Sequence, residues 1–263
     1  MKFEDVEKSR QLYNEKITEV KDLRERAKLY AQYKKDYKAY FVNYQLRTFF
    51  SDIEYNHNLG IDAFTLNRTG LIDTGDTYYS NDLVKGKYKD IGFTQSDVEI
   101  IKNYDEPFVK QDPISITSRS DIAFKGRFLI FEFPKKVLKR VAILPFGAKS
   151  FFVDPIVKTG LKLIETESII FSRLFNVYTE DGFEAFYILD PAFIESVEHF
   201  SDRYCYKIAL YFMNNKMFVG INDGNDSFEP PEPALRLDET KERAKVVEDM
   251  KLIIDIVDSL KLL

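Results

Sequence analysis

Tyr206-Lys207-Ile208-Ala209-Leu210-Tyr211-Phe212-Met213-Asn214-Asn215-Lys216-Met217-Phe218-Val219-Gly220-Ile221 decides the fold class. Two strand-sized apolar runs flank Asn-Asn, a pair that tolerates the left-handed backbone of a tight hairpin. The stretch predicts adjacent antiparallel strands. Upstream, further runs of this kind read as strands: Asp82–Tyr88, Phe93–Ile101, Phe124–Phe133, Val141–Phe146, Leu161–Glu165, Asn176–Glu180 and Phe183–Leu189. Glu180-Asp181-Gly182-Phe183 places Asp-Gly between apolar runs and predicts a second hairpin. The connections are too short for repeated crossover helices, so one mostly antiparallel sheet system is expected over residues 77–221.

Helices surround these strands. Residues 3–53 hold neither Gly nor Pro and are rich in good helix formers. Val6, Tyr13, Val20 and Ala27 recur every seven residues. Tyr30, Tyr33, Tyr37, Tyr40 and Tyr44 then alternate spacings of three and four, placing a tyrosine stripe along one helical face. One long projecting rod and two helices broken near Lys34-Lys35-Asp36 both satisfy this pattern. Turn signals at Asn56–Gly60 and Asp73–Asp76 bracket a short helix over Ile61–Leu71. Two more helices are expected, over Thr166–Phe175 and from Asp190, where Pro191 suits the first turn. Asp223–Pro233 has the composition of a linker. Beyond it Val246, Met250, Ile253, Val257 and Leu260 form an apolar stripe, with Val247 and Ile254 widening it. The expected class is α+β: a mostly antiparallel sheet core with short flanking helices, a long N-terminal helix or helical hairpin, and a C-terminal amphipathic helix. Residues 1–55 form the N-terminal helical element and residues 56–263 a single globular domain.

Composition narrows the chemistry more than it names it. The 263 residues carry 38 basic and 43 acidic side chains, a net charge of −5, with 44% hydrophobic and 15% aromatic content. That is an ordinary globular composition. One cysteine and two histidines exclude an intrachain disulfide and a thiolate–imidazole zinc cage. Cys205 lies in an apolar run, reads as a core side chain and suits a reducing cytoplasm. The N-terminus has no secretory core, and no apolar run approaches the roughly 20 residues of a membrane span. His57 and His199 stand apart. Asn222–Glu229 lacks the ligand spacing of a calcium loop and reads as turn chemistry. Ser115, Thr117, Ser118 and Ser120 crowd a polar loop, Asp112–Asp121, without a nucleophile elbow. Lys85-Gly86-Lys87 and Lys125-Gly126-Arg127 each hold one Gly, far from a phosphate-binding loop. No catalytic residue, metal site or cofactor is therefore assigned.

Two groups remain as binding candidates. Lys135, Lys136, Lys139 and Arg140 are concentrated against an acidic background, as an anionic lipid surface or an acidic partner would require; the overall charge opposes nucleic acid. The tyrosine stripe suits packing within the chain, a homo-oligomer, or a protein or membrane-edge contact.

Several stretches in order resemble a known bacterial family: Asp82-Leu83-Val84-Lys85-Gly86, Phe124-Lys125-Gly126-Arg127-Phe128, and Phe171 to Tyr178. Glu184 to Pro191, Asp226-Ser227-Phe228-Glu229 and the terminal Leu-rich helix follow. The family is called domain of unknown function thirty-one thirty-seven and also carries the label galanin-like. The similarity covers roughly residues 40–263. It implies no catalytic residues. Many members carry membrane spans between an N-terminal helix and the globular domain, and some occur beside LemA-type membrane proteins; residues 3–53 here contain no such span. The expected function is a non-enzymatic bacterial interaction module, cytoplasmic and peripheral to a membrane. Its N-terminal helix would mediate docking or oligomerisation. The alternative is a small-molecule or lipid-binding domain, or an enzyme, built on an aromatic-lined pocket.

Overall fold

A computed structural model describes residues 1–108, 115–133, 135–148, 158–204 and 208–260. Nine strands form one sheet in the order β1-β2-β3-β4-β9-β8-β5-β7-β6, and each neighbouring pair is antiparallel. The strands are β1 (Ser51–Asn56), β2 (Thr77–Tyr88), β3 (Ile91–Phe108), β4 (Ser115–Glu132) and β5 (Val141–Pro145). β6 (Lys162–Ile164), β7 (Phe175–Thr179), β8 (Ile208–Met213) and β9 (Lys216–Ile221) complete it. The expected hairpin joins β8 to β9. Met213 faces Lys216, and Asn214 and Asn215 sit at φ 53° and 57°, the pair of left-handed residues that a two-residue turn of this twist demands. Lys89 and Asp90, at φ 47° and 66°, make the same turn between β2 and β3 without a glycine.

Strand alternation gives the sheet two buried faces. Phe93, Leu129, Phe131, Leu210, Phe212, Met217, Val219 and Ile221 face one core. Val98, Ile100, Phe124, Phe128, Tyr211 and Phe218 face the other. The second core is covered by α4 (Ala63–Thr69) and its flanks, with Leu66, Leu71 and Ile72 inside. The first is covered by the remaining helices: α1 (Phe3–Lys16), α2 (Leu23–Tyr37), α3 (Asn43–Phe49), α5 (Ile169–Leu174), α6 (Gly182–Ile188), α7 (Pro191–Arg203) and α8 (Glu239–Ser259). A single π-helical turn, Lys38–Val42, joins α2 to α3.

The N-terminal segment is a helical pair broken at residues 17–22, not near Lys34 to Asp36. Asp22 accepts from the Arg24 N–H at 2.9 Å and starts α2 there, whereas the charged triplet continues the helix. The segment does not project: Val6, Tyr33, Tyr37, Phe41, Val42 and Leu46 belong to the first core. Residues Phe183–Leu189 are not a strand, and Asp181-Gly182 is not a hairpin. The Asp181 carboxylate caps α6 through the Phe183 N–H at 2.9 Å. The polar loop expected over Asp112–Asp121 is strand from Ser115 onward, so those hydroxyl-bearing residues lie on β4. Cys205 lies outside the described residues.

The C-terminal stripe docks as expected, with Val246, Met250, Ile253 and Val257 fully buried. The Pro-rich segment before it is strapped down. Arg10 donates to the Pro233 carbonyl at 2.7 Å and to Leu235 at 3.0 Å, Asn14 to Pro233 at 2.5 Å, and the Tyr33 hydroxyl to Pro231 at 3.2 Å. Gly126 owes its identity to the close β4–β9 pairing: at φ +152° a Cβ there would lie 2.1 Å from the Ile221 carbonyl oxygen.

Candidate functional site

The tyrosine stripe and the basic segment receive opposite surroundings. Tyr33 and Tyr37 are fully buried, and the Tyr37 hydroxyl donates to Glu242 of α8 at 2.7 Å. Burial, then the Glu242 contacts, push the Tyr37 hydroxyl far above its ordinary value. Tyr40 donates to Glu239 at 2.7 Å, and Tyr30 packs against Tyr13 with ring centroids 5.7 Å apart. Arg243 of α8 lies over Tyr44, 4.9 Å from its ring centre. The stripe is thus a seam between the N-terminal helices and the chain's own C-terminal helix; Tyr44 alone of the five is exposed.

Lys135, Lys136, Lys139 and Arg140 lie on the connection from β4 to β5. Val137 anchors it in the core, and its N–H donates to the Asn215 side chain at 3.0 Å. Lys135 pairs with Asp190 at 2.7 Å and lies 5.5 Å over the Tyr187 ring. That lysine, followed by the Phe193 N–H, holds the Asp190 carboxyl below its ordinary range. Arg140 grips Glu180 and donates to the Thr159 carbonyl at 3.1 Å. Burial works to raise the Glu180 pKa, but Arg140 outweighs it and the net shift is downward. Lys136 and Lys139 are exposed and make no ion pair among the described residues. Lys125 and Arg127, near in sequence, are engaged elsewhere, with Glu99 at 2.7 Å and Asp223 at 2.8 Å.

The basic connection is bolted to α6. The Leu138 N–H donates to Glu184 at 2.5 Å, and the Lys139 N–H to the same oxygen at 3.4 Å. α6 buries Ala185 and Ile188 and turns its other face outward. Phe183 is 89% exposed, Tyr187 56% and Phe186 46%, beside Leu138 at 67%. Phe186 continues into a groove of about 380 Å³ shared with Ser168, Leu189, Pro191 and Ile194, which Glu167, Glu195 and Glu198 also line. The result is an apolar surface with cations beside it and carboxylates in the adjoining groove. Reading residues 183–189 as a strand concealed it. The available signal was Asp181 followed three residues later by Glu184, the spacing of a helix-start box.

A second arrangement was also hidden. Lys38, on the π turn, is buried and donates to Asp82 at 2.6 Å and Glu229 at 2.7 Å. Tyr55 donates to the other Asp82 oxygen at 2.6 Å, and Lys34 pairs with Glu229 at 2.5 Å. Asp97 beneath them accepts from the Ser227 N–H at 2.9 Å and hydroxyl at 3.0 Å. Burial, then the Asp82 and Asp226 charges, raise the Asp97 pKa well above the ordinary carboxyl range. Two of the quoted stretches, Asp82–Gly86 and Asp226–Glu229, therefore meet on one lysine. Oxygens of Asp82, Asp226 and Glu229 come within 4.8 Å of one another, and Lys38 already holds two of these groups. Around this cluster opens a cleft of about 690 Å³ between α2 and the β1–β2 side of the sheet.

The family described as "Protein of unknown function (DUF3137)" has a model that matches residues 122–262. That description does not bear out the galanin-like label. No curated protein matches the chain. A solved structure of the mycobacterial trehalose monomycolate transport factor A, TtfA, is similar at 12% identity, covering 88% of this chain and 95% of that one, with a TM-score of 0.44. Likeness of that degree establishes neither a shared fold nor a shared activity.

Proposed function

This chain belongs to the DUF3137 family, and from that premise we propose that it is a non-enzymatic interaction module that docks on an anionic membrane surface through α6 and the Lys135–Arg140 connection. The supporting observation is the exposure of Leu138, Phe183, Phe186 and Tyr187 together beside Lys136 and Lys139, which form no ion pair among the described residues. Aromatic rings partition to the headgroup boundary, where an apolar body and a polar edge are both accommodated. Each lysine near an anionic leaflet adds about 1 kcal/mol of attraction, and apolar insertion adds to it. Docking of this kind needs no transmembrane helix; among the described residues no helix is long and apolar enough to cross a membrane.

Sedimentation with vesicles tests it. The full chain is expected to bind phosphatidylglycerol-rich vesicles, to release them as salt rises, and to leave phosphatidylcholine vesicles largely unbound. Lys136→Glu with Lys139→Glu should reduce binding at least tenfold. Equal binding to neutral and anionic vesicles, or to neither, ends this proposal.

A further inference from the structure

The cleft beside α2 carries a chemistry that the docking surface does not use. Its walls include Lys28, Lys34, Lys35 and Lys38 from the helical side and His57 and Asn81 from the sheet side. Spacings of seven and three put Lys28, Lys35 and Lys38 on one helical face. Among the described residues no carboxylate lines the cleft, in a chain whose net charge is −5. The neighbouring carboxylates Glu229 and Asp82 are taken by Lys34 and Lys38. Gln32, on the wall, donates its amide to Asp36 at 2.9 Å. Lys28 and Lys35 are exposed and form no ion pair among the described residues. The lysine field is felt inside: burial, then Lys38, Lys35 and Lys34, lower the His57 pKa, keeping the imidazole neutral and able to donate or accept a hydrogen bond.

From this geometry we infer that the cleft binds a small phosphate-bearing ligand. Ammonium groups are compact point charges suited to phosphate oxygens, and Lys28 and Lys35, two helical turns apart, lie about 10 Å from each other along the axis. A phosphate held between them offsets the repulsion among these ammonium groups. The volume of about 690 Å³ suits a small molecule. A nucleic acid strand would meet repulsion from the rest of this acidic surface. The cleft lies toward β1 and β2, whereas α6 follows β7, next to the edge strand β6 at the opposite end of the nine-stranded sheet. The inference therefore stands or falls separately from membrane docking. It also favours a ligand from the aqueous phase over a headgroup of the bilayer that α6 would touch.

Pyrophosphate titrated into the ¹⁵N-labelled full chain tests this. Saturable amide shifts are expected around Lys28, Lys35, His57 and Asn81. Lys28→Glu with Lys35→Glu should weaken binding at least tenfold without moving the thermal melt, and Lys28→Arg with Lys35→Arg should retain it. Absent saturation, undiminished binding in the charge-reversed variant, or shifts centred on Lys136 and Lys139 would overturn the inference. Vesicles containing phosphatidic acid separate the two phosphate sources. Unchanged vesicle binding by the Lys28→Glu, Lys35→Glu variant supports a free ligand; loss of vesicle binding in a chain that ignores pyrophosphate overturns it.

Discussion

Two aromatic surfaces of this chain differ in what stands opposite them. Tyr33 and Tyr37 are fully buried against α8, with hydroxyls satisfied by the Pro231 carbonyl and Glu242. Phe183 and Tyr187 on α6 are 89% and 56% exposed, and among the described residues no helix or strand covers them. The first surface has a matching apolar stripe legible over about four helical turns of sequence, Val246 to Leu260; the second has none among the described residues. Aromatic content alone does not distinguish a seam from a binding face. A complementary stripe, and a partner for each polar tip, does.

The sharpest way to break this comparison is to charge the seam. Ile253 is fully buried in α8. Ile253→Asp would bury a carboxylate without a partner, a cost of several kcal/mol set against a typical stability of about 5–15 kcal/mol. The expected result is an unfolded or grossly destabilised protein in a thermal melt; an unchanged melt would show that the seam does not hold the fold together. Next comes Lys38→Ala. It strands Asp82, which is wholly buried, and removal of one partner from such a pair costs about 3–5 kcal/mol. Chemical denaturation showing a loss under about 1 kcal/mol would mean that water or Tyr55 satisfies Asp82 unaided.

The same cluster predicts a pH dependence. Burial, followed by the neighbouring Asp82 and Asp226 charges, raises the Asp97 pKa, so the folded chain holds that proton more tightly than the unfolded chain. The contribution of Asp97 to stability is therefore present below the unfolded carboxyl value, about 4, and is lost as pH rises through the raised folded value. Urea titrations at several pH values should show this falling limb, flattened in Asp97→Asn. An identical limb in the variant would assign it to other groups. Smaller still is Tyr37→Phe, which keeps the buried ring and removes only the bond to Glu242, for a loss of about 1 kcal/mol.

Much of the fold was legible because it is local or periodic. The Asn214-Asn215 turn, the alternation along β8 and β9, the Asp190–Pro191 helix start and the stripe of α8 each announce themselves within a few residues. What failed was also physical. The segment 183–189 is apolar and short enough to suit either a strand or a helix, and only the Asp181 cap decides it. The break at residues 17–22 carries no Gly or Pro. The Lys38 cluster joins groups 44 and 191 residues apart in sequence, a juxtaposition no local pattern encodes. For the same reason Lys135, Lys136, Lys139 and Arg140 read as one patch, although Asp190 and Glu180 engage its first and last members.

The smallest expected effect on stability sharpens the comparison most. Phe183 is a large apolar residue on a helix, yet at 89% exposure it has almost no packing to lose. Only its backbone is engaged, through the Asp181 cap, and a serine preserves that N–H. Phe183→Ser should therefore move the thermal melt within the range of ordinary surface changes, about 0.5 kcal/mol. If α6 inserts at a membrane boundary, the same change removes an apolar anchor worth up to about 1.5–3 kcal/mol, a ten- to hundred-fold loss of vesicle affinity. Tyr37→Phe should behave in reverse, costing stability while leaving vesicle binding intact. Should Phe183→Ser destabilise the fold as Tyr37→Phe does, the two aromatic surfaces are alike and α6 is a packing element. Should it alter neither the melt nor vesicle binding, the exposed ring has no role in docking, and Lys136 and Lys139 would have to act without it.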